Sequence, residues 1–163
     1  MTDAQLHRER SAARLAALQA LYQLEITGIA PDEVIDEFIE HRFGRDLHSG
    51  MPQHDEAFFA DLVHGVLKHQ VEIDRSIARS LASGWTLGRI DSILRALLRS
   101  AAYELVARRD VPAKVVIDEY VELARDFFDG NEPKFVNAVL DCLARKKRAS
   151  EFGQPPPDDE PQF

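Results

Sequence analysis

Apolar residues return at helical intervals from Arg10 to Leu143, and nowhere do they alternate in the two-residue rhythm of a half-buried strand. A chain patterned this way folds as an all-α protein, because each segment carries one apolar stripe that only another helix can cover. Leu15, Leu18, Tyr22 and Ile26 follow the i, i+3, i+7, i+11 spacing of one helix face, which Leu21 and Leu24 widen, and Gly28 supplies the stop. Pro31 opens a short acidic helix with Val34, Ile35, Phe38 and Ile39 inward. Residues 43–53 are a loop by their Gly, Ser and Pro content. A third helix is predicted from about Asp55, carrying Phe58, Phe59, Leu62, Val63, Val66 and Leu67, and running on through Val71 and Ile77 to Leu81.

Ser83-Gly84-Trp85 punctuates the chain, with Trp85 expected as a core anchor beside the break. From Gly88 to Arg108 the apolar face is broadest, at Ile90, Ile93, Leu94, Leu97, Leu98, Ala101, Ala102 and Leu105, which predicts the central helix. Asp110 and Pro112 start the next helix, whose inward set is Ala113, Ile117, Tyr120, Val121, Ala124 and Phe128. Asp129-Gly130-Asn131 turns the chain, and Pro133 opens a last helix with Val136, Val139, Leu140 and Leu143 inside. Beyond it, Pro155-Pro156-Pro157 and the acids after them cannot pack a core, so the tail 149–163 is expected to be disordered.

With 163 residues, 45% of them hydrophobic, the chain can bury a core without metal or disulfide staples. Cys142 is the only cysteine, no apolar run spans a membrane, and residues 1–14 hold no export signal, so a cytoplasmic protein is expected. The net charge of −8 is awkward for a nucleic-acid binder, but it is unevenly spread. Residues 31–61 hold nine carboxylates against two arginines, whereas residues 134–148 hold Lys134, Arg145, Lys146, Lys147 and Arg148 against Asp141 alone.

Enzyme constellations are hard to find. A carboxylate-bridged metal site in a helical bundle needs two Glu-x-x-His motifs, and the nearest match, Asp61-x-x-His64, has no second copy. Asp118 and Glu122 lie one turn apart but read as a solvated face, and Cys142, among Val139, Leu140 and Leu143, reads as a small buried hydrophobe. The chain has no Gly-rich phosphate loop, no G-x-S-x-G and no H-E-x-x-H. No catalysis and no cofactor are expected.

Four segments carry a resemblance. RSAARLAALQALY at 10–22, ILRALLRSAAYEL at 93–105, DVPAKVVIDEYVELA at 110–124 and KFVNAVLD at 134–141 are similar, in order and spacing, to the motifs of the NusB family. The match spans most of residues 8–145, and four motifs in register are far more specific than any one. What the resemblance implies is two small helical bundles packed side by side in one domain over 1–148, the first subdomain over about 8–82 and the second over about 85–148. It also implies an RNA-binding transcription antitermination factor. Such a factor binds boxA RNA of ribosomal RNA operons as a heterodimer with NusE, a small-subunit ribosomal protein, within the RNA polymerase antitermination complex.

The site residues implied by the resemblance are Arg8, Arg10, Arg14, Gln19, Asn131, Lys134 and Phe135 for RNA, and Tyr22 for NusE. The family's arginine-rich start is thinned here by Glu9. Arg10 and Arg14, one helical turn apart, are expected to project from one face toward successive phosphates. Asn131, Lys134 and Phe135 bring together an amide for a base edge, a cation and an aromatic plate. Periodicity assigns Phe135 and Tyr22 to the core, whereas the resemblance gives Phe135 a stacking role and Tyr22 a partner-facing edge. Two rivals remain. One is a NusB-like protein–protein scaffold without RNA, and the other is the NusB-like appendage of ribosomal RNA methyltransferases, against which the lack of a following Gly-rich cofactor domain argues.

Overall fold

The computed structural model describes residues 2–40 and 55–155. These form α1 (Asp3–Thr27), α2 (Pro31–Phe38), α3 (Glu56–Lys68), α4 (Gln70–Ser80), α5 (Ser92–Ala107), α6 (Ala113–Phe127) and α7 (Glu132–Lys147), with 3₁₀ turns at Leu87–Arg89 and Ala149–Phe152. The all-helical expectation is met, with no strand among the described residues. The loop predicted at 43–53 lies outside them.

Two compact units divide between Leu67 and Lys68, well before the break predicted at Gly84. The reason is that the long third helix is in fact two. His69, at φ −112° and ψ 20°, interrupts the helix, and α4 sets off with its own stripe of Ile73 and Ile77. Val71, predicted inward, is exposed.

In the first unit the Thr2 hydroxyl accepts from the Gln5 N–H at 3.1 Å to begin α1. Gly28, left-handed at φ 67°, ends it by donating its N–H to the Leu24 carbonyl. Val34 and Ile35 of α2 are buried, the Phe38 and Phe59 rings stack at 5.7 Å, and Asp55 caps α3 by accepting from the Phe58 N–H at 2.9 Å.

In the second unit α5 is central, as its broad face predicts, packing against α4, α6 and α7. It begins at Ser92 and not at Gly88, because Asp91 accepts from the N–H groups of Ile93 and Leu94. Arg99 of α5 grips Asp74 of α4 through two bonds of 2.8 and 3.0 Å, and the hydroxyls of Ser100 and Tyr120 meet in the core at 2.9 Å.

The tail is a correction. Residues 149–152 form a 3₁₀ turn with Ala149 buried, so only residues 156–163 of the predicted disordered segment lie outside the described chain. Arg148, only 2% exposed, holds that turn in place. Its guanidinium donates to the carbonyls of Leu105 (2.6 Å), Val111 (2.8 Å) and Arg108 (2.9 Å), and to the Glu151 carboxylate at 2.8 Å. The other Glu151 oxygen accepts from the Ala113 N–H at 3.0 Å, capping α6, whose N-cap residue Pro112 has no side-chain donor or acceptor for the task.

Partial burial pushes the Glu151 carboxyl up, but the Ala113 bond, the Arg148 bond and the Arg148 and Arg109 charges together hold it below its ordinary value. A depressed folded-state pKa adds stability above the ordinary carboxylate range and loses it as pH falls through the folded value. The gap in unfolding free energy between the parent and Glu151→Gln should therefore be widest near neutrality and close as the medium is acidified in urea titrations. Arg148→Ala should cost on the order of 3 kcal/mol at neutral pH, since it strands several buried carbonyls at once. A loss under 1 kcal/mol would refute that role.

Candidate nucleic-acid interface

The amino-terminal candidates lie on α1 in the first unit. Arg8 is exposed. Arg10 is half-buried, its guanidinium 4.9 Å from the Phe58 ring centroid and its Nε 3.8 Å from Asp55 Oδ2. Arg14 does not project as expected. It is 1% exposed, with its guanidinium 5.2 Å from the same ring centroid. The cause is register, because Arg14 stands beside Ala13 and one turn before Ala17 and Leu18, on the face that α1 buries. The i, i+4 spacing does place the two cations on one ring, but that ring draws Arg14 into the unit. Gln19 and Tyr22 are both half-buried, as a stripe edge requires.

The carboxy-terminal candidates sit at the start of α7 in the second unit. Asn131 and Lys134 are exposed and Phe135 is half-buried. The Asn131 side chain does not cap the helix, so its amide is not committed to that bond. Phe135 is therefore not the core residue that periodicity assigns. Its ring meets that of Trp85 at a centroid distance of 5.7 Å and 47° between planes. Trp85 is 53% exposed, which overturns its expected role as a core anchor. Gly84, at φ 89°, turns the chain, and the Trp85 N–H bonds to the Ala82 carbonyl at 3.1 Å, so the indole is carried outward against α7.

Trp85, Ile90, Leu94, Phe128, Asn131 and Phe135 line a cavity of about 600 Å³ together with the charged Arg89, Asp91 and Glu132, of which Arg89 and Asp91 are exposed. Sequence spacing carries no signal for this meeting, since fifty positions separate the two rings. A second cavity of about 740 Å³ shares Phe128 and is lined by the acids Asp118, Glu122 and Asp129 and by the cations Arg125 and Lys134.

The basic run at 145–148 is largely engaged within the fold. Arg145 pairs with Asp141 at 2.9 Å and covers the Phe152 ring, Lys146 donates to the Arg79 carbonyl at 3.3 Å, and Lys147 and Arg148 are buried. Among the described residues no group of three or more His, Cys, Asp or Glu is placed to hold a metal. Asp118 and Glu122 are both exposed, and Glu122 pairs with Arg125. The two patches offer cations, an amide and aromatic faces, which is the chemistry of holding a single strand.

Known proteins give this arrangement a context. The NusB family model matches residues 11–145. The transcription antitermination protein NusB of Caulobacter vibrioides is 54% identical over 140 residues, 85% of this chain and 94% of that one. That of Maricaulis maris is 51% identical over 146 residues, 89% of this chain and 91% of that one. Among solved structures, T. maritima NusB superposes with a TM-score of 0.73 at 29% identity, covering 88% of this chain and 96% of that one. A chain from a structure of antitermination factors NusB and NusE in complex with dsRNA gives 0.70 at 27% identity, covering 85% and 97%. A family match over most of the chain, relatives above half identity and a shared helical fold agree with the four motifs: the chain belongs to the NusB family.

Proposed function

We propose that this chain is a transcription antitermination factor that binds single-stranded boxA RNA of ribosomal RNA operons as a heterodimer with NusE. It acts by binding and not by catalysis, in the cytoplasm, as a part of the RNA polymerase antitermination complex. The observation that carries the RNA reading is Phe135, an aromatic ring left half-exposed beside the exposed Lys134 and Asn131 in a helix that could have buried it. The family's NusB–NusE–dsRNA structure supports the choice of partners. On α1, Arg8 and Arg10 are the phosphate contacts, Gln19 a polar neighbour and Tyr22 the edge offered to NusE, while Arg14 fixes the Phe58 ring on which Arg10 rests.

One observation favours the scaffold reading: Arg14 is buried and Arg10 is near Asp55, so the amino-terminal patch has little charge to spare. Filter binding of boxA RNA with and without NusE separates the two, because a scaffold adds nothing to the RNA retained.

Arg8→Ala and Lys134→Ala should each weaken RNA binding and flatten its salt dependence, by a slope of roughly 0.7 per lost phosphate contact. Arg14→Ala should leave that slope unchanged while lowering the melting temperature. A flattened slope in the Arg14 variant would put its guanidinium on phosphate after all.

Phe135→Ala should cost about 1–3 kcal/mol of RNA binding. A fully buried phenylalanine would instead cost about 3–5 kcal/mol of folding stability. Affinity and urea unfolding measured on this one variant decide between them, and normal affinity in a destabilised chain would leave Asn131 and Lys134 as the site.

A further inference from the structure

We propose that Trp85 is a second base-stacking plate, extending the surface of Phe135 so that one RNA strand lays consecutive unpaired bases on both rings; this rests on the RNA-binding reading of Phe135 given above. An indole is the most costly side chain to leave in water without a use, yet Trp85 stands 53% exposed while Ile90 and Leu94 behind it are buried. Its placement is specified by the backbone. Gly84 takes a left-handed φ of 89°, and the bond from the Trp85 N–H to the Ala82 carbonyl closes the turn. The rings of Trp85 and Phe135 meet at 47°, so they touch without stacking face to face and do not use up each other's flat surfaces.

Charge alone does not set the direction of the strand, because the cavity beside Trp85 carries Arg89 with Asp91 and Glu132, and the other carries Asp118, Glu122 and Asp129 with Arg125 and Lys134. Asp91 is spent capping α5 and Glu122 pairs with Arg125, so the exposed Arg89 and Lys134 are the cations nearest the two rings along the chain. Aromatic faces flanked by a cation at one end and Lys134 at the other match what single-stranded nucleic acid requires: flat surfaces for the bases and positive charge for the phosphates. An unpaired base is therefore the occupant that fits, in preference to an apolar side chain from a protein partner, which would gain nothing from the cations.

Trp85 is the only tryptophan in the chain, so its emission reports on this one position. The intact protein is titrated with single-stranded boxA RNA while binding is followed independently by gel mobility shift, each with and without NusE. Quenching of the emission in step with the mobility shift is expected. Trp85→Ala should bind about 5- to 150-fold more weakly with its melting temperature unchanged, and Trp85→Phe should recover most of that loss. RNA that shifts in the gel with unaltered emission and parental affinity in Trp85→Ala would overturn the second plate and leave Phe135 standing. Emission that responds to NusE and not to RNA would make Trp85 a protein contact. A Trp85→Ala chain that melts well below the parent would make it structural. RNA that shifts under neither condition would instead remove the RNA-binding reading itself.

Discussion

A helix must dispose of its last four carbonyls, and α5, the most buried helix of the second unit, ends where water cannot reach all of them. The Arg148 guanidinium, arriving from the far end of α7, takes the carbonyls of Leu105 and Arg108 together with that of Val111 in the following turn. A lysine could not substitute, because the planar fork of donors is what lets one side chain serve several acceptors in fixed directions. Glu151 neutralises the buried charge and passes the connection on to the first N–H of α6. The end of α5, the start of α6 and the end of α7 thus meet at one ion pair. Since Lys134 and Phe135 stand in the first turn of the same helix, fixing the final turn of α7 also helps fix where those two side chains stand.

Helical period carried most of the fold into view. The terminators and openers Gly28, Pro31, Pro112 and Pro133 act where their chemistry predicts, at or within a residue or two of the observed ends, whereas the Asp91 cap that starts α5 is read from the structure alone. What period does not reveal is a break in the helical backbone between two helices with compatible stripes. Val66, Ile73 and Ile77 keep a helical spacing across His69, so the pattern reads as one helix although the backbone makes two. The tail misled for a related reason. Its composition is that of a disordered segment, but composition is blind to a single buried arginine whose partners are 37 to 44 positions away and to the one carboxylate that answers it.

The site was legible where local chemistry defines it and illegible where tertiary packing does. Asn131, Lys134 and Phe135 are neighbours in sequence and stay together at the start of α7, so the proposed patch could be read from the motif. Arg14 and Trp85 show the opposite. Both were read by residue type, a cation for the surface and an indole for the core, and both are inverted. Arg14 is held inside by the Phe58 ring, a long-range partner, and Trp85 is carried outside by a local turn whose consequence depends on where α7 lies. The basic run at 145–148 failed in the same way. Its charges are consumed by helix ends, an aromatic ring and Asp141, so a tally of lysines and arginines overstated what an RNA would feel.

That withdrawal of charge bears on how such a protein can hold RNA at all. With a net charge of −8 and two of the four cations at 145–148 buried, long-range attraction is a weak source of affinity. A single strand offers base faces as well, and stacking on aromatic rings does not depend on net charge. On the proposed reading, exposed rings next to a few well-separated cations would hold a strand by its base faces more than by its phosphates. In the proposed function, the hold on an unpaired element therefore comes from its base faces, and a partner that brings its own positive charge would supply the attraction that this chain lacks.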